Sequence, residues 1–169
     1  VMSERVSDHL PKTDKYIPKQ RLWYIRAKEV VISSGSIERP LVFGNNDTPG
    51  VMLSSAAKEY LKVYGVLVGK KPIVFTNNDS GYETAIEFKK NGIDPIVLDT
   101  RKEANSETIK EAKALNINIK FSYVVVTTRG YKKVSSADIA KISDDKKNLS
   151  NIENIKCDCI CVSGFWTPT

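Results

Sequence analysis

The chain has 169 residues, 41% hydrophobic and 27% charged, which excludes disordered, collagen-like and disulfide-scaffold classes and suits one domain with a substantial core. Its net charge of +6 comes from scattered lysines, with pairs at Lys70-Lys71, Lys89-Lys90, Lys132-Lys133 and Lys146-Lys147 at element ends. Nucleic-acid binding needs a basic stripe with stacking aromatics, so the pairs read as solubilising surface or as a face toward an acidic partner.

Residues 1–20 are polar, carry the only histidine (His9) and two prolines, and read as an extended segment rather than a folded unit. From Arg21 to Ala27 the residues alternate as an amphipathic strand, and Val30-Val31-Ile32 is apolar on both faces, as in a strand buried inside a parallel sheet. That run stops at Ser33-Ser34-Gly35-Ser36, where small residues let backbone come close to a partner. Residues 39–50 are rich in Asn, Asp, Pro and Gly and read as a crossover between domains. Ser54 and Ser55 are candidate caps for a helix with Ala57, Tyr60, Leu61 and Tyr64 on one face and Gly65 just past its end.

Residues 72–101 form the centre of the pattern. An apolar burst, Ile73-Val74-Phe75, enters the turn Thr76-Asn77-Asn78-Asp79-Ser80-Gly81, followed by a helix to Asn91, a Gly92 stop, and a second burst, Ile96-Val97-Leu98, ending on Asp99. This is the layout of a dinucleotide-binding βαβ unit, with an acidic residue about 20 positions past the turn. Over the fingerprint G-x-G-x-x-G the glycine slots read Thr76, Asn78 and Gly81, so only the helix-packing glycine remains. The helix is expected to bury Tyr82, Ala85, Ile86 and Phe88 and to expose Glu83, Glu87, Lys89 and Lys90.

Ser106 caps a third helix with Ile109, Ala112 and Leu115 inward, and residues 117–121 alternate as a strand. Residues 123–126 and 132–134 flank a turn at Arg129-Gly130 as a hairpin across the sheet, with 139–142 extending a meander. Residues 143–154 read as an exposed loop, and 157–162 as a last strand running into Ser163-Gly164-Phe165-Trp166. The expected fold is α/β: a three-layer, Rossmann-like parallel sheet flanked by helices with an added β-hairpin or meander, of the FAD/NAD(P)-binding type. The expected division is an extended segment and strands of an outer nucleotide-binding domain over 1–45, an inserted Rossmann-like domain over 46–156, and a return strand to the outer domain over 157–169. The outer sheet lacks its first βαβ unit, so the chain reads as part of a larger one.

Cys157, Cys159 and Cys161 alternate, which puts all three on one face of a strand and disfavours internal disulfides. A zinc site would need a fourth ligand, and no C-x-x-C redox motif is present, so core packing in a reduced, cytoplasmic chain is the reading. There is no run of about 18 apolar residues and no signal-peptide pattern.

Several short motifs, in order, resemble the alpha subunit of heterotetrameric sarcosine oxidase. They are Arg21-Leu22-Trp23, Ile25-Arg26-Ala27, residues 30–35, residues 38–43, residues 46–53, Tyr64-Gly65-Val66, residues 75–79, Asp99-Thr100-Arg101 and residues 163–168. The resemblance implies part of an enzyme that oxidatively demethylates sarcosine to glycine, passes the one-carbon unit to tetrahydrofolate and electrons to oxygen, and assembles with beta, gamma and delta subunits. It implies NAD for this type of domain, with the principal glycine fingerprint upstream of Val1, and places FAD, FMN and tetrahydrofolate elsewhere in the complex. The chain departs from the family pattern at Phe165, where Ser-Gly-Gly-Trp is usual, and at Ser34, where related domains favour Thr.

The candidate cofactor-binding residues are Thr76, Asn77, Asn78, Ser80, Gly81, Asp99, Arg101, Ser34, Gly35 and Gly164. Two readings of the turn stand side by side: its polar side chains contact a phosphate, or they cap the helix of a vestigial site. Asp99 and Arg101 are likewise a ribose acceptor and an adenosine-side cation, or a strand-ending pair bonded to each other. No catalytic or metal-ligating residue stands out. The function readings are an NAD-binding-like domain of a sarcosine oxidase alpha subunit, not catalytic alone; a structural, subunit-interaction module with a degenerate site; and an NAD(P)H-dependent flavoprotein reductase.

Overall fold

The first twenty residues, expected to be merely extended, begin with a strand. β1 (Met2–Arg5) pairs antiparallel with β2 (Gln20–Trp23), with Met2 opposite Trp23 and Arg5 opposite Gln20. The computed structural model describes every residue except 144, 146, 147 and 151, and divides into two units, residues 1–34 and 35–169. In the first unit the indole N–H of Trp23 donates to Glu4 at 2.8 Å, and the Arg21 guanidinium lies 5.7 Å from the Trp23 ring centre. The run Val30-Val31-Ile32 is neither a strand nor buried: its residues are 78, 88 and 82% exposed. An apolar triplet becomes a strand only where a neighbouring strand takes its backbone groups, and no described strand pairs with it.

The second unit runs through β3 (Ser36–Arg39), β4 (Val51–Leu53), α1 (Ser54–Tyr64), β5 (Pro72–Thr76), α2 (Ser80–Lys90), β6 (Ile96–Asp99), α3 (Glu107–Ala114) and β7 (Asn118–Phe121). It continues through β8 (Tyr123–Arg129), β9 (Ser136–Lys141), β10 (Glu153–Lys156), β11 (Cys159–Ser163) and β12 (Phe165–Pro168). Five strands form a parallel sheet in the order β4-β11-β5-β6-β7. β11 is therefore interior to this sheet, between β4 and β5. Its five fully buried residues suit that place, because a strand covered on both faces needs no polar side.

Alternation along the strands sorts the core into two layers. Val74, Val97, Cys159 and Cys161 face α1, α2 and α3, meeting Ala57, Tyr82, Ala85, Phe88, Ile109 and Ala112. Ile73, Phe75, Leu98, Ile160 and Val162 face the other way, onto Val125, Val134, Ala137 and Ile139. The helices thus cover one face, and the antiparallel meander β8-β9-β10 covers the other. Phe43 closes the meander side with an edge-on contact to Phe75, ring centres 5.8 Å apart.

Local expectations are largely realised in the βαβ centre, and Tyr82, Ala85, Ile86 and Phe88 are all buried. Ser106 caps α3 by accepting from Ile109 N. Gly65 ends α1 in the left-handed region at φ 64°, donating to Leu61 O. Other expectations change. Ser54 and Ser55 are the first helical residues of α1 and not its caps; the capping carboxylate is that of Glu38, which accepts from Ser55 N at 2.9 Å and Ser55 Oγ at 2.6 Å. Of the four residues expected on the inner face of α1, Ala57 and Leu61 pack into the core, while Tyr60 and Tyr64 are exposed. The hairpin's second strand begins at Ser136, later than expected, and β10 rises out of the segment read as loop. Lys146-Lys147 and part of that loop lie outside the described residues.

All three cysteines are buried and free, but not on one face: Cys157 precedes β11 and joins the meander-side core, whereas Cys159 and Cys161 lie on the helix side with sulfurs 3.7 Å apart. Burial, with Asp158 and Cys159 nearby, pushes the Cys157 thiol up to about 12. The bond to Cys159 and then burial push Cys161 well above the usual thiol range. Thiolate is the reactive form. The native chain at pH 8 is therefore expected to take up no aromatic disulfide reagent over minutes, and the chain in guanidinium to take up three equivalents; fast labelling of any native thiol would contradict this burial.

Candidate functional site

The carboxyl ends of β5, β6 and β11 meet at one edge of the parallel sheet, the position where open α/β sheets bind ligands. The turn 76–81 lies there because β5 ends at Thr76 and α2 starts at Ser80. β11 ends beside it at Ser163, and Thr76 pairs with Ser163 on one side and Asp99 on the other.

The helix-packing glycine does what its slot requires. A Cβ on Gly81 would sit 2.7 Å from both Cβ and Oγ1 of Thr76, so α2 approaches β5 this closely only without a side chain there. Four amides of the turn are engaged from within. Asn77 N donates to Ser163 O at 3.3 Å, Asn78 N to Thr76 Oγ1 at 3.1 Å, Ser80 N to Asn78 Oδ1 at 3.0 Å and Tyr82 N to Asp79 O at 3.1 Å. The Asn78 side chain is the hub: its Oδ1 also accepts from Ser80 Oγ at 2.5 Å, and its Nδ2 donates to Ser163 O at 3.2 Å. Ser80 Oγ lies 3.1 Å from Ser163 Oγ and accepts the indole N–H of Trp166 at 3.0 Å.

Asp99 is fully buried. Its Oδ2 accepts from Tyr82 OH at 2.6 Å and Arg101 Nη2 at 2.8 Å, and its Oδ1 from Arg101 N at 2.9 Å and Arg101 Nε at 3.1 Å. Arg101 then reaches back to the turn, with Nη1 2.8 Å from Asp79 Oδ1. Burial raises the Tyr82 phenol well above its ordinary value, and the Asp99 carboxylate adds to this, so Tyr82 holds its proton and donates. For Arg101 burial opposes the charge, but the bonds to Asp99 and Asp79 outweigh it and raise its pKa.

A pyrophosphate bound by a dinucleotide turn needs free amide N–H groups at the helix N-terminus, and a ribose hydroxyl needs a reachable carboxylate. In this turn the amides of Asn77, Asn78, Ser80 and Tyr82 are already engaged, the Asp79 carboxylate stands at the start of α2, and Asp99 is buried with both oxygens occupied. In this conformation those four amides and Asp99 are not free to take a dinucleotide.

The structure therefore brings together Thr76, Asn77, Asn78, Ser80, Gly81 and, through Asp79, Asp99 and Arg101. Gly164 adjoins them, where a Cβ would lie 2.7 Å from Arg39 O. Gly35 is at the other end of the β3-β12 ribbon, its carbonyl accepting from Thr169 N at 3.2 Å. Ser34 is the last residue of the first unit. Sequence reasoning missed Tyr82 as the partner of Asp99, although a buried phenol usually finds a hydrogen-bond partner. Ser163, Trp166 and Glu38, outside the candidate residues, reach the helix starts from strands distant in sequence.

No protein-family model matches the chain. It is 34% identical over 166 residues, 98% of its length, to sarcosine oxidase subunit alpha of Rhizobium meliloti (strain 1021), and 34% identical over 154 residues to that of Corynebacterium sp. (strain P-1). The chain spans 16% of the length of each of these curated relatives. Among solved structures it resembles thioredoxin reductase of T. acidophilum, with a TM-score of 0.63 and 15% identity over 79% of this chain and 43% of that one. It likewise resembles Lactococcus lactis thioredoxin reductase, with a TM-score of 0.61 and 15% identity over 80% and 44%. These likenesses give the fold alone, that of part of the thioredoxin reductases.

Proposed function

We propose that the chain is a dinucleotide-fold domain of a sarcosine oxidase alpha-type subunit, and that it serves that enzyme as architecture, its own nucleotide turn being closed. The reading rests on the turn itself: four backbone amides that would cradle a phosphate are held by Ser163, Thr76, Asn78 and Asp79. The similarity to sarcosine oxidase alpha subunits supports membership in a multi-subunit oxidase that demethylates sarcosine to glycine and passes the one-carbon unit to tetrahydrofolate. Beta, gamma and delta subunits are then its partners, and FAD, FMN and folate bind elsewhere in the assembly.

A second reading, an NAD site that forms when the turn opens, is favoured by Gly81, which keeps the close helix-strand approach of a working fingerprint. Calorimetric titration of the 169-residue chain with NAD and NADH separates the two. The closed turn predicts no binding heat up to millimolar nucleotide; saturable binding in the micromolar range would establish the second reading. A flavoprotein reductase would purify yellow, and a colourless protein removes that alternative.

A further inference from the structure

The β3-β12 ribbon is fastened to the second unit at two helix starts by two residues that face each other across it. Glu38 and Trp166 are register partners. From β3, Glu38 caps α1 through Ser55 N and Ser55 Oγ. From β12, Trp166 bonds Ser80 Oγ, which is itself bonded to the Asn78 hub that closes the α2 turn. The ribbon continues into the turn at Gly164, whose N–H donates to Arg39 O at 2.7 Å, and at Ser163, which contacts Asn77 and Asn78. The two anchors differ in depth, Glu38 being buried at 4% exposure. Trp166 remains 42% exposed, and Glu38 Oε1 and Ser54 Oγ are buried without a hydrogen-bond partner among the described residues. An unpaired buried carboxylate oxygen raises the free energy of the docked state, which leaves the undocked state within reach.

We propose that the β3-β12 ribbon is a latch whose docking through Glu38 and Trp166 keeps the 76–82 turn closed, so that displacement of the ribbon opens that turn. The proposal rests on the reading that the turn is closed at rest, but its test uses no nucleotide, so it stands or fails separately from the calorimetry.

The test is amide hydrogen exchange on the 169-residue chain and on Trp166→Phe and Glu38→Gln, both close in shape to the native side chains. Trp166→Phe is expected to speed exchange at Asn78 and Ser80 about three- to tenfold, the factor corresponding to one net hydrogen bond. It is also expected to speed exchange at Ser55, which Trp166 does not touch. Glu38→Gln is expected to do the reverse, releasing Ser55 and, through the ribbon, Ser80. Val97, Leu98 and Ile109, in the core of the same unit, keep their native rates. A rise confined to the helix that each residue itself contacts would show two independent contacts and overturn the latch. An equal rise through the core, which reports only lost stability, would overturn it as well.

Discussion

Replacing Asp99 with alanine is expected to lower the unfolding free energy by about 3 kcal/mol, in the range for stripping one member from a buried charged network. Asp99 is fully buried and takes bonds from Tyr82 OH, Arg101 N, Arg101 Nε and Arg101 Nη2. Removing the carboxylate strands the Tyr82 phenol in the core and leaves the Arg101 amide unpaired. The guanidinium is less affected, because its side chain is 29% exposed and keeps Asp79, so the loss falls at the lower end of the range. Tyr82→Phe removes one donor and leaves Asp99 bonded to Arg101, which places its cost near 1 kcal/mol. Urea unfolding with an unchanged slope gives both values. The measurement also decides what Asp99 is for. A residue kept to hold a ribose would cost little stability when removed and much nucleotide affinity, the opposite of what its buried bonds require.

How much of this was legible follows from how far apart the determinants lie. The βαβ centre was readable because β5, α2 and β6 follow one another and each carries its own period, stop and start signals. The same reasoning misplaced Val30-Val31-Ile32, since an apolar triplet has one appearance in a paired strand and in an unpaired segment, and only the partner strand differs. β10 was missed for the converse reason. Its Glu-Asn-Ile-Lys sequence is nearly all polar, and its pairing with β9 makes it a strand. At the site, the spacing from turn to Asp99 was visible, but the direction of its oxygens was not. That direction is set by Tyr82 and Arg101, which sequence reading assigned to the core and to the ligand. The positions of Glu38 and Trp166 depend on a ribbon between the two ends of the second unit, which no local window spans.

Gly81→Ala is expected to cost about 2 to 3 kcal/mol, at the upper end for overpacking, because its obstacle is the rigid base of a side chain. The new Cβ would lie 2.7 Å from Thr76 Cβ and Oγ1 and 3.1 Å from Thr76 Cγ2; β5 is buried throughout, and α2 is held against it by Tyr82, Ala85 and Phe88 in the core. Helix propensity favours alanine over glycine by up to about 1 kcal/mol at an interior position, so a clash-free site would show a gain. The sign of the change therefore identifies the contact. Thr76→Gly removes all three obstructing atoms, at the expense of the bonds that Thr76 Oγ1 makes to Asn78 O and from Asn78 N. The double variant should then be more stable than the sum of the single effects by about 1 to 2 kcal/mol, the scale of coupling between residues in contact. Additive losses would mean that α2 does not sit as close to β5 as the geometry places it. Positive coupling would tie the one retained fingerprint glycine to the threonine that occupies the first glycine slot. In that case Gly81 is held by the packing of this closed turn and needs no nucleotide to account for it.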